Sequence, residues 1–465
     1  MKILKKFIGD KAFYQKVIKL IIPIIIQQGI TNVVNLLDNI MVGALGTEPM
    51  SGVAIVNQII FVFNLTIFGG ISGVSIFGAQ FFGIGDNLGV KHTFRFKFIF
   101  CVVSTAIALS ALIPFGDELI MLFLDNEANA DLDLTITLGY ALDYLMIAII
   151  GLVPFMIVQV YTSTLRETGE TVAPMIASVI SIGVNFVLNL VLIFGFLWIP
   201  AMGVRGAALA TVIARFIEMI YIVLYTHKNK GKYPFIDGVY RSLKVPLPLV
   251  WKIIKTGTPL LLNEVLWSMG TTFVNQNYST RGLEVVAANN ISSTVWNIFC
   301  IIMMSMGSAV SILVGQKLGA GAIEEAKDID RKLIFLSVAS NTIIGLLLIA
   351  SAPFIPLIYN TEQEVYDLAT NFLMVAGASL PIHAFIHVTY FTIRSGGRTF
   401  ITFLFDSVYT WCVPVVISFL LCRYTTLGIV LIYFIVQFSD IIKICIGLPM
   451  LMSGIWAKNI IKENK

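Results

Sequence analysis

The feature that most constrains this chain is a succession of apolar segments of about 20–28 residues, separated by short polar loops. In a bilayer every backbone N–H and C=O must be satisfied within the protein, so only helices and closed barrels can span it. None of these segments alternates apolar and polar residues as a barrel strand does, so the expected fold is an all-α integral membrane protein. Twelve transmembrane helices are predicted, at 17–41, 53–80, 94–114, 136–158, 172–196, 204–226, 253–278, 285–314, 333–352, 368–392, 402–422 and 427–453. Composition agrees: 12% of residues are charged and 57% hydrophobic, where a soluble domain carries about 25% charged residues. The basic, then apolar N-terminus is read as a permanent first helix. It is too long for a signal peptide, turns polar after Ile26 and lacks a small-x-small cleavage site.

Charge distribution sets the orientation. Most of the 31 Lys and Arg residues fall in the N-terminal tail, the loops at 81–93 and 227–250, the turns that hold Arg166, Lys317 and Arg394, and the C-terminal tail. The alternate loops hold Arg205, Arg281 and Arg423, with acidic clusters at Asp117, Glu118, Asp125, Glu127, Asp131 and Asp133, and at Glu362, Glu364 and Asp367. By the positive-inside rule both termini are cytoplasmic, which an even number of spans requires. The expected setting is the plasma membrane, with lipid and no nucleic acid as partner, and the chain is expected to act as a monomer.

The chain repeats itself. Lys16, Ile18, Lys19 and Pro23 recur as Lys252, Ile254, Lys255 and Pro259; Ser75, Gln80, Gly83 and Gly85 recur as Ser311, Gln316, Gly319 and Gly321, all at an offset of 236. Arg166, Gly169 and Thr171 recur as Arg394, Gly397 and Thr399. Two pseudo-symmetric six-helix lobes are expected, 1–226 and 251–465, joined by a polar, proline-containing cytoplasmic linker at 227–250. Each lobe starts inside, so the repeats are parallel, and transporters place substrate sites between such halves.

Ionisable groups within the spans carry the functional signal, because a charge in hydrocarbon is costly and usually functional. Arg215 precedes Glu218 by three residues and Lys443 follows Asp440 by three, so each pair is expected to neutralise itself on one helix face. Asp143 and Asp406 lie about two turns from a surface. Asp38 and Glu264 have no same-helix cation. Asp38 lies in the outer half of an outward-running helix, with Asn185 and Asn189, one turn apart, and Thr211 at a similar depth. One carboxylate and three neutral oxygens suit a hard cation such as sodium, whereas a proton needs only the carboxylate. His383 and His387, one turn apart, could carry protons. The glycines of GIGDNLG follow a membrane helix rather than a strand, so they are read as a turn and not a phosphate loop. The five cysteines, Cys101, Cys300, Cys412, Cys422 and Cys445, are read as small core residues. No catalytic grouping, metal spacing or cofactor motif is present, and an enzyme is not expected.

LLDNIMVGALG, GAQFFGIGD, LRETGETVAPM with NFVLNLVLIFG, GVRGAALAT, GQKLGAG, and IRSGGRT with FDSVYTWCVP stand in order along both halves. Through these stretches the chain resembles the multidrug and toxic compound extrusion (MATE) transporters over essentially its whole length, and the NorM-like branch through Asn185 and Asn189. The resemblance implies antiport of sodium or protons against amphipathic organic cations and drugs, from a cleft between the lobes. It implies a cation site of Asp38, Asn185, Asn189 and Thr211, with Glu264 as the acid of the second lobe. The NorM-like pattern has a further acid in the tenth helix; here His383 stands nearest to that position, a departure. A lipid-linked saccharide flippase of the same superfamily is the alternative, and it would call for extra spans and an arginine cluster that this sequence lacks.

Overall fold

The computed structural model describes residues 6–124, 134–359 and 361–462. Its spans are α1 Lys11–Gly43, α2 Thr47–Gly83, α3 Asn87–Leu124, α4 Leu134–Glu167, α5 Val172–Phe194, α6 Gly203–Lys228 and α7 Leu247–Ser279. Then come α8, as Leu283–Phe299 and Ile301–Gly319; α9, Ile323–Ser351; α10, Gln363–Ser395; α11, Thr399–Tyr424; and α12, as Ile429–Ser439 and Ile441–Ser453. Eleven described helices are long and apolar enough to cross a membrane. The helix outside that set is α7, which is 33 residues long and carries Asn263, Glu264, Asn275, Gln276 and Asn277. Its polarity is what lowers its hydropathy.

Several helices run past their expected ends. α3 reaches Leu124, continuing through Pro114, with a non-helical Phe115 at φ −116°, ψ 18°. A proline removes one ladder hydrogen bond, and the neighbouring turn absorbs the bend. Residues 115–124 are therefore helix and not loop; Asp125, Glu127, Asp131 and Asp133 lie outside the described residues. Cysteine placement also differs in part from expectation: Cys101, Cys300 and Cys422 are buried, whereas Cys412 and Cys445 are exposed.

The described chain forms two compact units, one of Ile26–Gly78 with Asn87–Trp251, the other of Met1–Ile25, Ala79–Asp86 and Lys252–Lys465. The division falls inside α1, two residues after Pro23. In the second unit Val17, Leu20, Ile21 and Ile24 of α1 pack on Met306, Val310, Leu313 and Val314 of α8 and on Val388 and Ile393 of α10. Towards the other end, Tyr278, Val285, Phe372, Cys422 and Tyr433 close a second core, with the Phe372 and Tyr433 rings stacked 4.4 Å apart.

The sequence repeat has a packing cause in this unit. A Cβ on Gly83 would meet the Gln316 backbone, and a Cβ on Gly319 would meet the Gln80 backbone. Such reciprocal contact is what two copies of one motif make across a two-fold axis. The turn glycines that follow, Gly85 and Gly321, share φ +76°, and Gly169 and Gly397 lie at +82° and +76°. These are backbone positions that favour glycine, and both GIGDNLG and its counterpart are turns.

The segment 227–250 is not a free tether. It belongs to the first unit, where Arg95 Nε donates to the Val239 carbonyl at 2.9 Å and Lys91 Nζ to that of Asp237 at 2.6 Å. The hydroxyls of Tyr161 and Tyr240 meet at 2.6 Å.

Candidate functional site

α5 presents Ser178, Ser181, Asn185 and Asn189 at spacings of three and four, so all four share one face. That face is buried, and it orders the polar groups of the first unit into two levels. One level holds Asp38. Asn189 Nδ2 donates to Asp38 Oδ1 at 2.6 Å and to Asn185 Oδ1 at 3.3 Å; Asn185 Nδ2 donates to Thr211 Oγ1 at 3.2 Å. Turned over, the Asn185 amide would instead donate to both Asp38 oxygens at 3.1 Å and accept from Thr211 at 3.2 Å. The structure thus brings Asp38, Asn185, Asn189 and Thr211 together, as their depth predicted. It adds Tyr144 of α4, whose hydroxyl interacts with Thr211 and with the Asp38 charge and donates to Asn57 Oδ1 at 3.4 Å. Nothing in a single sequence marked Tyr144, because α4 carries other aromatic residues and its facing cannot be read from spacing.

Asn189 is 1% exposed and its Oδ1 has no hydrogen-bond partner among the described residues. Buried polar atoms in native proteins are nearly always paired, so an orphaned oxygen calls for an explanation. A carboxylate, an unpartnered amide oxygen, a second amide and two hydroxyls form an oxygen-only donor set, which fits a hard monovalent cation.

The other level lies on the same helices. Gln27 precedes Asp38 by three turns of α1, and Ser178 precedes Asn189 by three turns of α5. Arg166 Nη2 donates to Gln27 Oε1 at 2.6 Å, Gln27 Nε2 to Ser178 Oγ at 2.6 Å, and Ser178 Oγ to Glu218 Oε1 at 2.7 Å. Arg215 pairs with Glu218 at 3.2 Å, the expected same-helix neutralisation. Below it Lys97 and Glu167 form a wholly buried ion pair, with Thr164 Oγ1 accepting from Lys97 at 3.2 Å. Asp143, expected near a surface, pairs with exposed Arg205 at 2.8 Å.

In the second unit the expected Asp440–Lys443 pair does not form. α12 has an irregular turn at Asp440, between Ser439 and Ile441, and both side chains take partners on other helices. Lys443 instead pairs with Asp406 of α11 at 3.2 Å, and Asp440 approaches His383 Nδ1 at 3.5 Å. His383 Nε2 lies 3.0 Å from Gln437 Oε1. Asp406 sits in a π-helical turn, Leu404–Val408. Asn263 of α7 holds that turn: its Nδ2 donates to Asp406 Oδ2 at 3.1 Å, and its Oδ1 accepts from Ser407 Oγ at 2.7 Å. Glu264, the next residue, makes no hydrogen bond or ion pair among the described residues, and the charges of Arg394 and Asp406 act on it. No contact joins Glu264 to His383 among the described residues. Sequence reading did not mark Asn263 or Gln437, because their partners, Asp406, Ser407 and Tyr390 for the first and His383 for the second, lie on other helices.

Two lobes' worth of membrane helices, with buried acids and broken spans lining polar clusters, define a polytopic transporter rather than an enzyme. The MatE family profile matches residues 23–191 and 259–420, and the chain belongs to that family. A relative named probable multidrug resistance protein NorM, from Thermotoga maritima, is 23% identical over 448 residues, 96% of this chain and 93% of that protein. The probable multidrug resistance protein YoeA of Bacillus subtilis is 26% identical over 88% of this chain and 87% of its own length. The fold matches an outward-facing multidrug resistance MATE family transporter of the MOP superfamily, at TM-score 0.82 and 19% identity over 97% of this chain and 98% of that one. It matches a variant of the Vibrio cholerae MATE transporter VcmN at TM-score 0.85 and 16% identity, over 96% and 98%. The twelve-helix, NorM-like MATE reading of the sequence stands.

Proposed function

We propose that this protein exports amphipathic organic cations and drugs from the cell by alternating access, in exchange for an inward cation bound at Asp38, Asn185, Asn189 and Thr211. The observation that carries the reading is the Asp38 cluster, a membrane carboxylate without an ion-pair partner among the described residues, set beside a buried amide oxygen that is itself unpaired. Sodium is the favoured ion, because the additional oxygens are superfluous for a proton. Glu264 and His383 act in the second unit. There His383 draws on Asp440 for the carboxylate that its own position lacks, with Gln437 fixing the ring. The plasma membrane, with both termini cytoplasmic, is the setting that the charge bias supports. Relatives named as multidrug resistance proteins support the substrate class.

The test is dye or drug efflux from proteoliposomes under separately imposed sodium and proton gradients. Sodium-driven efflux that Asp38→Asn abolishes, with insertion unchanged, is expected. Full efflux driven by protons in sodium-free buffer, with no response to added sodium, would make the proton the coupling ion. Unaltered efflux by Asp38→Asn would remove the assignment of the site.

A further inference from the structure

The Asp406 cluster is built, like the Asp38 cluster, from a carboxylate, an amide and hydroxyls. Asp38 accepts from the Asn189 amide, with Asn185, Thr211 and Tyr144 around it. Asp406 accepts from the Asn263 amide, with the hydroxyls of Ser407 and Tyr390 bound to that same amide, at 2.7 Å and 3.3 Å. The Asp406 cluster has one amide where that of Asp38 has two, its amide oxygen is already bonded by Ser407, and it contains a cation. Asp406 Oδ1 carries the ammonium of Lys443, at 3.2 Å. That lysine is 4% exposed, and its Nζ lies 4.9 Å from the Tyr409 ring centre and 5.9 Å from that of Phe405. A carboxylate, a polar neighbour and aromatic faces are what holds a cation in a dry site.

The local backbone is built to make this contact. The π-helical turn at Leu404–Val408 inserts a residue into α11 and re-aims Asp406, and such turns recur at functional sites. Beside the irregular turn of α12, Lys443 goes to Asp406 and Asp440 to His383. Broken spans of this kind line ion sites in transporters.

We propose that the Lys443 ammonium stands permanently in the place of a monovalent cation, so that the Asp406 cluster is a latent cation site filled by the protein itself. Of the two clusters only that of Asp38 then holds an exchangeable cation; only this second half rests on the function proposed for Asp38. A tethered ammonium cannot leave, so the Asp406 cluster keeps its charge balance at every stage of the cycle and contributes no ion to the exchange. Lys443 thereby sets the ion-to-drug ratio. The other charged or titratable groups that act on the pair are Glu264, His387 and Tyr390 on the Asp406 side, and His383, with Asp440 behind it, on the Lys443 side.

The experiment counts exchangeable cations on the purified full-length chain in nanodiscs. Bound 22Na+ is measured at saturation, and proton uptake is measured in parallel in sodium-free buffer. Lys443→Ala is expected to gain one cation per chain over wild type. Asp38→Asn is expected to lose one, and Asp38→Asn with Lys443→Ala to match wild type. Lys443→Arg keeps the tethered charge and the wild-type count. The gain must vanish in Lys443→Ala with Asp406→Asn. A wild-type count in Lys443→Ala that still unfolds cooperatively, or a gain that survives Asp406→Asn, overturns the proposal. Should Lys443→Ala not fold, Lys443→Gln, which keeps a hydrogen bond to Asp406 without the charge, carries the same expectation. An unchanged count in Asp38→Asn would instead remove Asp38 as an ion site, and leave the Lys443 comparison to stand or fall by itself.

Discussion

Thr211→Val separates the two coupling ions more cleanly than any change at Asp38. Valine keeps the shape of threonine and deletes the hydroxyl. Thr211 Oγ1 is not bonded to Asp38; it donates to the Ala207 carbonyl at 3.1 Å within its own helix and accepts from Asn185 at 3.2 Å. The carboxylate therefore keeps its direct donor, Asn189. The Ala207 carbonyl is still served by the helix ladder, and the Asn185 amide can turn to donate to Asp38 at 3.1 Å. The fold should lose little, within about 1 kcal/mol for a neutral hydrogen bond. Cation binding should lose more if the hydroxyl is one of the sodium ligands. A hydrogen bond to a charged group is worth about 1.5–3 kcal/mol, and a hydroxyl dipole facing a monovalent cation is of that order at the low end. At about 1.4 kcal/mol per tenfold, half-saturating sodium for drug efflux should rise about 10-fold, with the maximal rate at saturating sodium nearly kept. A proton bound on Asp38 uses no hydroxyl ligand, so efflux under a proton gradient should be unchanged. The assay is initial-rate efflux from proteoliposomes over a sodium titration. An unchanged half-saturation in a variant that inserts and transports normally would refute Thr211 as a ligand, and with it the argument from oxygen count to sodium.

Glu264→Gln should reduce export without abolishing it, measured as drug resistance of cells lacking their own pumps at matched expression; full resistance would remove its role. Lys97→Met should destabilise the solubilised protein by about 3–5 kcal/mol, because it leaves Glu167 buried and unpaired, whereas Lys97→Met with Glu167→Leu should recover most of that loss. Thermal unfolding followed by tryptophan fluorescence checks this, and equal losses in the two variants would contradict it. Burial alone would raise the Glu170 carboxyl, but hydrogen bonds from Lys232, Tyr233 and the Ala173 N–H outweigh it and hold the carboxyl below its usual value. A depressed carboxylate contributes stability that is present above its unfolded value near 4.3 and is lost as pH falls through the folded value. Cleavage of the 227–250 segment by an acid-tolerant protease should therefore rise on acidification in wild type and be high at all pH values in Glu170→Gln.

The architecture was legible because lipid leaves so few solutions. Long apolar runs dictate helices before any packing is known. The Asp38 cluster was legible for a related reason. Asn185 and Asn189 share a face by spacing alone, and depth along a straight helix can be counted from its end at about 1.5 Å per residue. What could not be read is wherever a helix is not straight. Counting from Asp440 to Lys443 assumes a regular helix, and α12 has an irregular turn at Asp440. Counting into α11 fails in the same way, since the π-helical turn shifts Asp406 off the face that its number implies.

These failures share a direction. Both of these turns sit at an acid whose partners lie on other helices: Asp406 has Asn263 and Lys443, and Asp440 has His383. An i,i+3 pair such as Arg215–Glu218 leaves its helix independent of its neighbours. A cross-helix pair ties two spans into one body, so that in lipid, where apolar contact between helices is worth little more than contact with acyl chains, polar groups choose which helices move together. By that argument α7, α11 and α12 move as one piece through Asn263, Asp406 and Lys443, with α10 joined to them at His383. In the first unit, α1 is held to α5 both at Gln27 and at Asp38. Of these ties the one at Asp38 is the one a cation would compete for, since its carboxylate oxygen receives an amide N–H that must turn away when a cation takes that oxygen.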